Sequence, residues 1–275
     1  MAMPKISAIV IARNEEHMIA NCIDTLRWCE EVIVVNHGST DNTASLAKHQ
    51  RAKVISAPSH ATFADLRNLG MDEATGEWLL YIDADERVTP ALKRDIEHVV
   101  SGSFQPTSYR VARNNIHYGH WMKFGGWQND KLVRLFRADS IKKWDGRIHE
   151  HAEVVGETGD LVEPLIHLTH RNMADGIRKS LEWTDVEAHL LFEAKHPPIT
   201  ALRLMKIVVW EFMHRVFVLK AHKDGMEGMV EAMVQSWNRF LVYERVWELQ
   251  KMPSLEETYE KFEKDVAHLW DKERA

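Results

Sequence analysis

The sequence predicts an α/β fold with a helical C-terminal extension, and three observations support this prediction. In residues 6–100, short apolar runs alternate with segments of helical spacing, as in a mostly parallel sheet. In residues 101–169, short β-like runs are separated by Gly, Asn and Asp. After Asn172, apolar residues recur at helical spacing almost to the end of the chain. We therefore expect a main domain of residues 1–172 and an α-helical extension of residues 173–275.

The first hundred residues contain four predicted strands and four predicted helices. The strands are bounded apolar runs rich in β-branched residues, at 6–11, 32–35, 53–55 and 78–82. The helices have apolar residues at helical spacing, at 16–28, 40–48, 63–73 and 90–100. Ser39 or Thr40 is expected to cap the second helix. Thr89 followed by Pro90 is the pattern of an N-cap and a first helical residue.

The rest of the chain changes in character at two points. Short β-like runs come first, at 109–111, 132–136, 152–155 and 165–168. Long segments of helical periodicity follow, at 174–195, 199–222, 225–249 and 255–272. The tripeptide "HPP" separates the first two of these helices, because proline cannot continue a helix.

Composition limits the classes of function that the chain can have. The 275 residues are 45% hydrophobic and 28% charged, which is typical of a globular protein with a sizeable core. The net charge of −6 argues against general affinity for nucleic acid. Cys22 and Cys29 are poorly spaced for a disulfide, which favours a reducing, cytoplasmic setting. We expect neither a secretion signal nor a membrane span, since no run of about 18 apolar residues is free of charge.

Acidic residues gather directly after the fourth predicted strand, in "LLYIDADERVTP". Asp83 and Asp85 can share one hard cation such as Mg²⁺ or Mn²⁺, with substrate phosphates in the remaining positions. A solvated turn that caps the next helix explains the same residues equally well. Neighbouring carboxylates repel each other unless a cation or hydrogen-bond donors lie among them.

Polar segments also follow the first two strands, as "ARNEE" and "NHGSTDNT". In a parallel sheet, ligands bind outside the carboxyl ends of the strands, where these segments lie. The glycine-containing segment exposes N–H groups and small hydroxyls that suit a nucleoside or its phosphate. Taken alone, it is better explained as a glycine turn before a capped helix. There is no G-x-G-x-x-G and no G-x-x-x-x-G-K-[ST], so dinucleotide and P-loop binding have no support.

Taken in order, these motifs resemble a known family. "SAIVIARNEE", "EVIVVNHGSTDNT" and "ATGEWLLYIDADE" are similar to the family 2 inverting glycosyltransferases, which have the GT-A fold, a Rossmann-like, mostly parallel sheet. "DKLVRLFR", "WDGRIHEH" and "LIHLTHRN" resemble the bacterial subgroup that includes lipopolysaccharide-core β-glucosyltransferases. The resemblance implies that residues 1–172 are catalytic, with a nucleotide-binding part (1–100) and an acceptor-side part (101–172).

The resemblance also implies ligands and site residues. The donor would be a nucleotide sugar, usually UDP-linked, and a divalent cation, Mn²⁺ or Mg²⁺, would bind through the DXD motif. Asp85 and His167 are the expected metal ligands, although a histidine satisfied at a strand end is as well supported. The expected nucleotide-sugar contacts are Ala12, Arg13, Asn14, Glu15, Asn36, Gly38, Ser39, Asp41, Arg67, Asp83, Ala84 and Arg134.

Two features of the site bear on chemistry and specificity. An inverting transfer needs a base for the acceptor hydroxyl, and the resemblance points to Glu150 with His149 assisting, or to the reverse. The spacing in "HEHAE" is not H-E-x-x-H, so a zinc-protease site is excluded. The family usually has an aspartate at the position of Asn36, where it contacts the base, so the preference for uracil is open.

The segment "ITALRLMKIVVWEFMHRVFVLKAHKDG" combines apolar, aromatic and basic residues. This pattern suits a helix on an anionic membrane surface, and peripheral attachment at the inner leaflet would bring the enzyme to a lipid-linked or glycan acceptor. "KDGMEGMVEAMV" resembles the D-G-x-x-G segment of membrane-associated members of the family. Packing on the catalytic domain or in a homodimer has at least equal weight.

Other classes of function explain fewer of these residues. A nucleotidyltransferase would be expected to have a phosphate loop rich in glycine and lysine, which "ARNEE" is not. A sugar-nucleotide binding module without turnover would fit Asn36, but the acidic residues expected for catalysis are all present. A helical scaffold would explain only the last third of the chain.

Overall fold

The computed structural model describes residues 3–58, 60–102, 106–146, 150–169 and 172–274. The chain divides into two compact units. The first unit comprises Met1–Met122 and Trp127–Thr169, and the helical unit comprises Lys123–Gly126 and His170–Ala275. Lys123–Gly126 belongs to the helical unit although it lies within the sequence of the first unit, and this was not predicted.

The first unit contains the strands and helices of an α/β domain. Its strands are β1 Ile6–Ala12, β2 Glu31–Asn36, β3 Lys53–Ser56, β4 Trp78–Asp83, β5 Glu86–Arg87, β6 Ser108–His117, β7 His120–Trp121, β8 Lys131–Arg137, β9 Ile141–Asp145, β10 His151–Val154, β11 Thr158–Asp160 and β12 Leu165–Leu168. Its helices are α1 Ile19–Asp24, α2 Thr43–His49, α3 Phe63–Asp72 and α4 Pro90–Val100. Each strand and helix predicted for this part of the chain is present, but the helix predicted for residues 16–28 is only Ile19–Asp24, and the one predicted for 40–48 begins at Thr43. The strands β5, β7, β9 and β11 were not predicted.

One large sheet organises this unit. Its strands run in the order β3-β2-β1-β4-β8-β6-β12-β5, with β7 and β11 paired to β6, while β9 and β10 form a separate pair. The first four strands of this order are mutually parallel, and β8 runs antiparallel to β4 and β6. The carboxyl ends of four parallel strands therefore lie at one edge of the sheet, as predicted.

The central strands are buried on both faces. Successive residues of a strand point to opposite faces, so Ile9 and Tyr81 pack in one apolar cluster while Val10 and Ile82 pack in another. All four side chains are almost completely buried. Continuous apolar runs such as "AIVI" are typical of parallel strands that are covered on both sides.

The predicted helix caps had different outcomes. Thr89 accepts a hydrogen bond from the Leu92 amide at 3.1 Å, and Pro90 begins α4, as predicted. The prediction that Ser39 or Thr40 caps the second helix is wrong, because α2 begins only at Thr43. Residues 39–42 form a loop instead of a helical turn, because their hydrogen bonds connect them to the segment after β1.

The helical unit contains α5 Met173–Glu193, α6 Ala201–Met213, a π-helical turn at His214–Val218, a 3₁₀ turn at Ala221–Asp224, α7 Gly225–Leu249 and α8 Leu255–Arg274. The single helix predicted for residues 199–222 is confirmed as helical to Val218, through α6 and the π-helical turn, and is wrong beyond Val218. It ends because Lys220 adopts the left-handed backbone region, with φ of 61°. Over the described residues, no helix has both the length and the apolarity needed to cross a membrane.

The D-G-x-x-G segment has a structural role in the helical unit. Asp224 is buried, and its carboxylate accepts hydrogen bonds from the backbone N–H groups of Lys123 at 3.0 Å and Phe124 at 2.8 Å. Gly225 has φ of 69°, which favours glycine. Gly228 has no room for a Cβ atom against a backbone carbonyl. The motif thus binds residues 123–126 to the start of α7.

Candidate functional site at the carboxyl edge of the sheet

The strand register brings the predicted polar segments to the same level. Ala12, the last residue of β1, pairs with Asn36, the last residue of β2. Ile11 pairs with Asp83 at the end of β4. The segments that follow these three strands therefore begin side by side, so the sheet brings together residues that are far apart in sequence.

Hydrogen bonds connect the segment after β1 to the segment after β2. The backbone N–H of Asn14 donates to the Ser39 hydroxyl at 3.0 Å, and the Thr40 N–H donates to Asn14 Oδ1 at 2.8 Å. Asn14 has φ of 56°, a left-handed conformation that asparagine tolerates. The Ser39 N–H donates to Asn36 Oδ1 at 3.3 Å. Arg13 and Gly38 are exposed in the same two segments.

Asp41 holds these segments together. Its carboxylate accepts from the Glu16 amide at 3.1 Å and from the Thr43 amide at 2.9 Å. Burial opposes ionisation, but hydrogen bonds from Thr43 outweigh it and lower the pKa of Asp41. The Glu15 amide donates to the Thr43 hydroxyl at 2.7 Å. Asp41 thus has a structural role, and its predicted contact with a nucleotide sugar stays a prediction.

Asp83 lies between two arginines. Arg134 donates to its carboxylate, and Arg67 Nη2 lies 3.9 Å from Asp83 Oδ1. Burial would raise the pKa of Asp83, but the positive charges of Arg134 and Arg67 more than offset this and hold the pKa well below its usual range. Asp83 is therefore ionised, and Ala84 beside it is buried.

Glu86 is the most deeply buried carboxylate of the cluster. It is 0% exposed, and its Oε1 lies 2.8 Å from Arg134 Nη2 and 3.3 Å from Arg113 Nη1. Its Oε2 accepts the Asp83 amide at 2.9 Å. Burial would lower the pKa of Arg134, whereas Asp83 and Glu86 raise it. Arg134 is thus held as a charged side chain inside the protein, and its predicted contact with a nucleotide sugar stays a prediction.

Asp85 and His167, the two predicted metal ligands, are adjacent in the structure. His167 Nε2 lies 3.5 Å from Asp85 Oδ2, and both side chains are largely buried. Adjacent ligands of an octahedral ion lie about 3 Å apart when each is about 2.1 Å from the metal. A carboxylate oxygen and an imidazole nitrogen therefore fit two neighbouring positions around such an ion. In the described part of the chain, no three His, Cys, Asp or Glu side chains form a ready-made metal cluster.

The predicted base, Glu150, is held by Arg67. Arg67 Nε and Nη2 donate to Glu150 Oε1 at 3.0 and 2.9 Å. The guanidinium lies over the Trp144 ring, with 4.7 Å between its carbon and the ring centroid. Arg67 therefore links Glu150 to Asp83. His149 lies outside the described residues.

Several site residues were not predicted from the sequence. Arg113, Asn115 and Asp130 connect to Glu86 and His167 through hydrogen bonds of 2.6 to 3.3 Å. Positions 113 and 115 are two residues apart on β6, which places both on one face of the sheet. The run of polar residues 113–115 within a predicted β-region is the sequence signal that could have drawn attention to them.

Known proteins resemble this chain over most of its length. The model of the family "Glycosyl transferase family 2" matches residues 7–146. A lipopolysaccharide core biosynthesis glycosyltransferase, LpsC, of Rhizobium meliloti is 24% identical over 261 residues, which are 90% of this chain and 94% of that protein. An uncharacterized glycosyltransferase of Rickettsia felis is 25% identical over 251 residues, covering 87% of this chain and 88% of the relative.

Two solved structures also show similarity to this chain. Glucosyl-3-phosphoglycerate synthase from Mycobacterium tuberculosis, solved with Mn²⁺ and UDP, is similar with a TM-score of 0.34 and 23% identity, over 41% of this chain and 44% of that one. S. aureus TarS is similar with a TM-score of 0.44 and 13% identity, over 94% and 91% of the two chains. The family model covers just over half of the 275 residues, including β1, β2 and β4 with the segments after them. This chain therefore belongs to glycosyl transferase family 2 and is a glycosyltransferase with the GT-A fold.

Proposed function

We propose that this glycosyltransferase is a metal-dependent, inverting enzyme. It transfers a sugar from a nucleotide-sugar donor, UDP-linked, to a lipid-linked or cell-envelope glycan. One observation carries the proposal: Asp85 and His167 lie 3.5 Å apart at the strand edge where Asp83 is held ionised. This edge is where ligands of parallel α/β sheets bind.

Asp85 and His167 would hold the divalent cation, Mn²⁺ or Mg²⁺. When bound, such an ion neutralises the developing charge of the leaving diphosphate. Asp83 would lie beside the nucleoside or the metal, with its orientation fixed by Arg134. The segments after β1 and β2 would surround the nucleoside, with Asn36 as the contact to the base.

Glu150 would be the base that removes the proton of the acceptor hydroxyl. Both hydrogen bonds from Arg67 end on Oε1. Within the described residues, Oε2 accepts no hydrogen bond and is the oxygen that would face the acceptor. Arg67 would keep the carboxylate in one orientation as the hydroxyl approaches. Direct attack with a single base is what inverts the anomeric centre.

The acceptor is inferred from the relatives and from the helical unit. The relative from Rhizobium meliloti is named for lipopolysaccharide core biosynthesis, which supports an acceptor of that class. In the helical unit, α6 and the turn after it expose apolar side chains at helical spacing. They include Leu202, Met205, Val209, Trp210, Met213 and Phe217.

Basic residues accompany this apolar face. The exposed ones are Arg203, Lys206, Lys220 and Lys223. The single acidic residue of α6, Glu211, is paired with Arg215 at 2.6 Å. An apolar face bordered by positive charge suits the surface of an anionic bilayer. We therefore propose peripheral attachment to the inner face of the plasma membrane in the cytoplasm, with packing between two copies as the alternative use of the face.

Calorimetric titration tests the donor site. UDP, dTDP, GDP and CMP are each titrated with and without Mn²⁺ into the wild type and into Asp85→Ala. We expect metal-dependent binding of one nucleotide, UDP, which Asp85→Ala abolishes because it removes a metal ligand. Asp271→Ala, an exposed aspartate of α8, is the matched control and should bind like the wild type. If nucleotide affinity is the same with and without Mn²⁺, or is unchanged in Asp85→Ala, the metal assignment is refuted. If the wild type binds the nucleotide but transfers no sugar, an inactive binding module is favoured.

A further inference from the structure

A series of hydrogen bonds, buried at His167 and partly buried at Asp130, leads away from the metal-ligand pair. His167 Nδ1 lies 2.6 Å from Asn115 Oδ1, and Asn115 Nδ2 donates to Asp130 Oδ2 at 2.9 Å. Asn115 is completely buried, and the strand register pairs it with His167 across β6 and β12. Arg113 Nε donates to the same oxygen of Asp130 at 2.8 Å and keeps that carboxylate in place.

The donor and acceptor of each hydrogen bond in this series follow from the carboxylate of Asp130, which lies at its far end. An ionised carboxylate only accepts hydrogen bonds, so the Asn115 amide must turn its NH₂ group toward Asp130. The Asn115 oxygen then faces His167 and can only accept, so the hydrogen of the neutral ring lies on Nδ1. The lone pair of Nε2 consequently points at Asp85 Oδ2, 3.5 Å away. In the neutral ring, two atoms that both carry lone pairs therefore face each other, which is the arrangement that a cation stabilises.

We propose that Asn115 and Asp130 are positioning residues of the metal site. They hold His167 in the Nδ1–H tautomer and fix the direction in which Nε2 presents its lone pair. The proposal rests on the metal-dependent function proposed above. Partners of a metal-bound histidine typically change metal affinity by ten- to a hundredfold when they are removed. We expect Asn115→Ala and Asp130→Ala to weaken Mn²⁺ binding within that range.

Exchanging the two residue types at positions 115 and 130 should restore the lost Mn²⁺ affinity, and we call this variant the double exchange. In Asn115→Asp/Asp130→Asn, the new carboxylate at 115 still accepts from Nδ1–H, and the new amide at 130 can donate to it. This variant should recover most of the Mn²⁺ affinity that Asn115→Ala loses. Asn114→Ala is the matched control, because the neighbouring residue on β6 points to the opposite face of the sheet. It should bind Mn²⁺ like the wild type.

Two measurements test the proposal. Mn²⁺ affinity is measured by electron paramagnetic resonance in the presence of UDP. The tautomer is read without metal from the ¹⁵N shifts of histidine-labelled protein at pH 8, with His167→Gln to assign the signal. We expect Nδ1–H in the wild type and in the double exchange, and loss of that preference in the two alanine variants. If Asn115→Ala does not fold, the Mn²⁺ affinity of Asp130→Ala and the tautomer of His167 in the wild type still test the proposal.

The outcomes separate the two proposals. Protonation of His167 on Nε2 in the wild type, or unchanged Mn²⁺ affinity in the folded alanine variants, overturns the positioning role and leaves the metal site intact. A wild type that has the Nδ1–H tautomer but binds no Mn²⁺ overturns the metal-dependent function, and the positioning role falls with it.

Discussion

Removing the negative charge of Glu86 should destabilise the first unit strongly. Glu86 is 0% exposed and contacts Arg134 and Arg113, while its second oxygen accepts the Asp83 amide. Glu86→Gln keeps the shape of the side chain but leaves two buried guanidiniums with less negative charge. Breaking a buried ion pair by removing one partner costs about 3–5 kcal/mol. Arg134 still has Asp83, and Arg113 still pairs with Asp130, so we expect the lower end, about 3 kcal/mol.

Urea denaturation and thermal melting, followed by tryptophan fluorescence, measure this loss. For a domain of this size, about 3 kcal/mol corresponds to a melting temperature lower by roughly 6–12 °C. Glu97→Gln on α4 is the control, because its pair with Lys93 is partly exposed and should be worth less than about 1 kcal/mol. The reasoning is refuted if Glu86→Gln is as stable as the wild type, or if the two variants lose the same stability.

Three further predictions concern the base, the charge of Asp83 and the helical unit. Glu150→Gln should bind UDP normally but lose transfer of labelled sugar from UDP-glucose to a lipopolysaccharide extract. The reason is that an amide cannot take the proton of the acceptor hydroxyl. Normal transfer by this variant would mean that another residue is the base. Asp83→Asn should be less stable than the wild type at pH 7. Because the pKa of Asp83 is depressed in the folded state, its stabilisation is complete above the unfolded value of about 3.9 and is lost only as pH falls further. A difference in urea stability that vanishes between pH 7 and pH 5 contradicts this. Trp210→Ser should reduce sedimentation of the protein with anionic vesicles. Trp270 is an exposed tryptophan of α8, and Trp270→Ser, the control, should sediment like the wild type. Equal sedimentation of the two variants contradicts a membrane role for α6.

The architecture of the sheet was predictable because it depends on local patterns. β1 is apolar apart from Ser7 and β4 is apolar up to its last residue, Asp83, and parallel strands that are buried on both faces need such runs. The polar segments after them had to lie at the carboxyl edge once the strands were parallel. The meeting of Asp85 with His167 was expected from the resemblance, and the structure places the two side chains 3.5 Å apart.

The partners of the buried charges were not predictable in the same way. Glu86 pairs with Arg134 and Arg113, which are 48 and 27 residues away in the sequence. Nothing in the local pattern distinguishes this carboxylate from a solvated one, because the pairing depends on where β6 and β8 lie in the sheet. The same limit applies to Asp41, whose carboxylate binds backbone N–H groups of two segments.

The charges around the strand edge support the proposal that donor binding requires a metal. Among the described residues, the ion-paired cluster contains five carboxylates and three guanidiniums, so its formal charge is negative. A nucleotide diphosphate adds further negative charge, and like charges in a partly buried site repel strongly. The arginines cannot offset this, because each is already held between carboxylates of the protein. A divalent cation at Asp85 and His167 would therefore have to bind before the diphosphate or together with it. If the proposal is right, the acidic cluster makes donor binding conditional on the metal, and we expect very low nucleotide affinity when no metal is present.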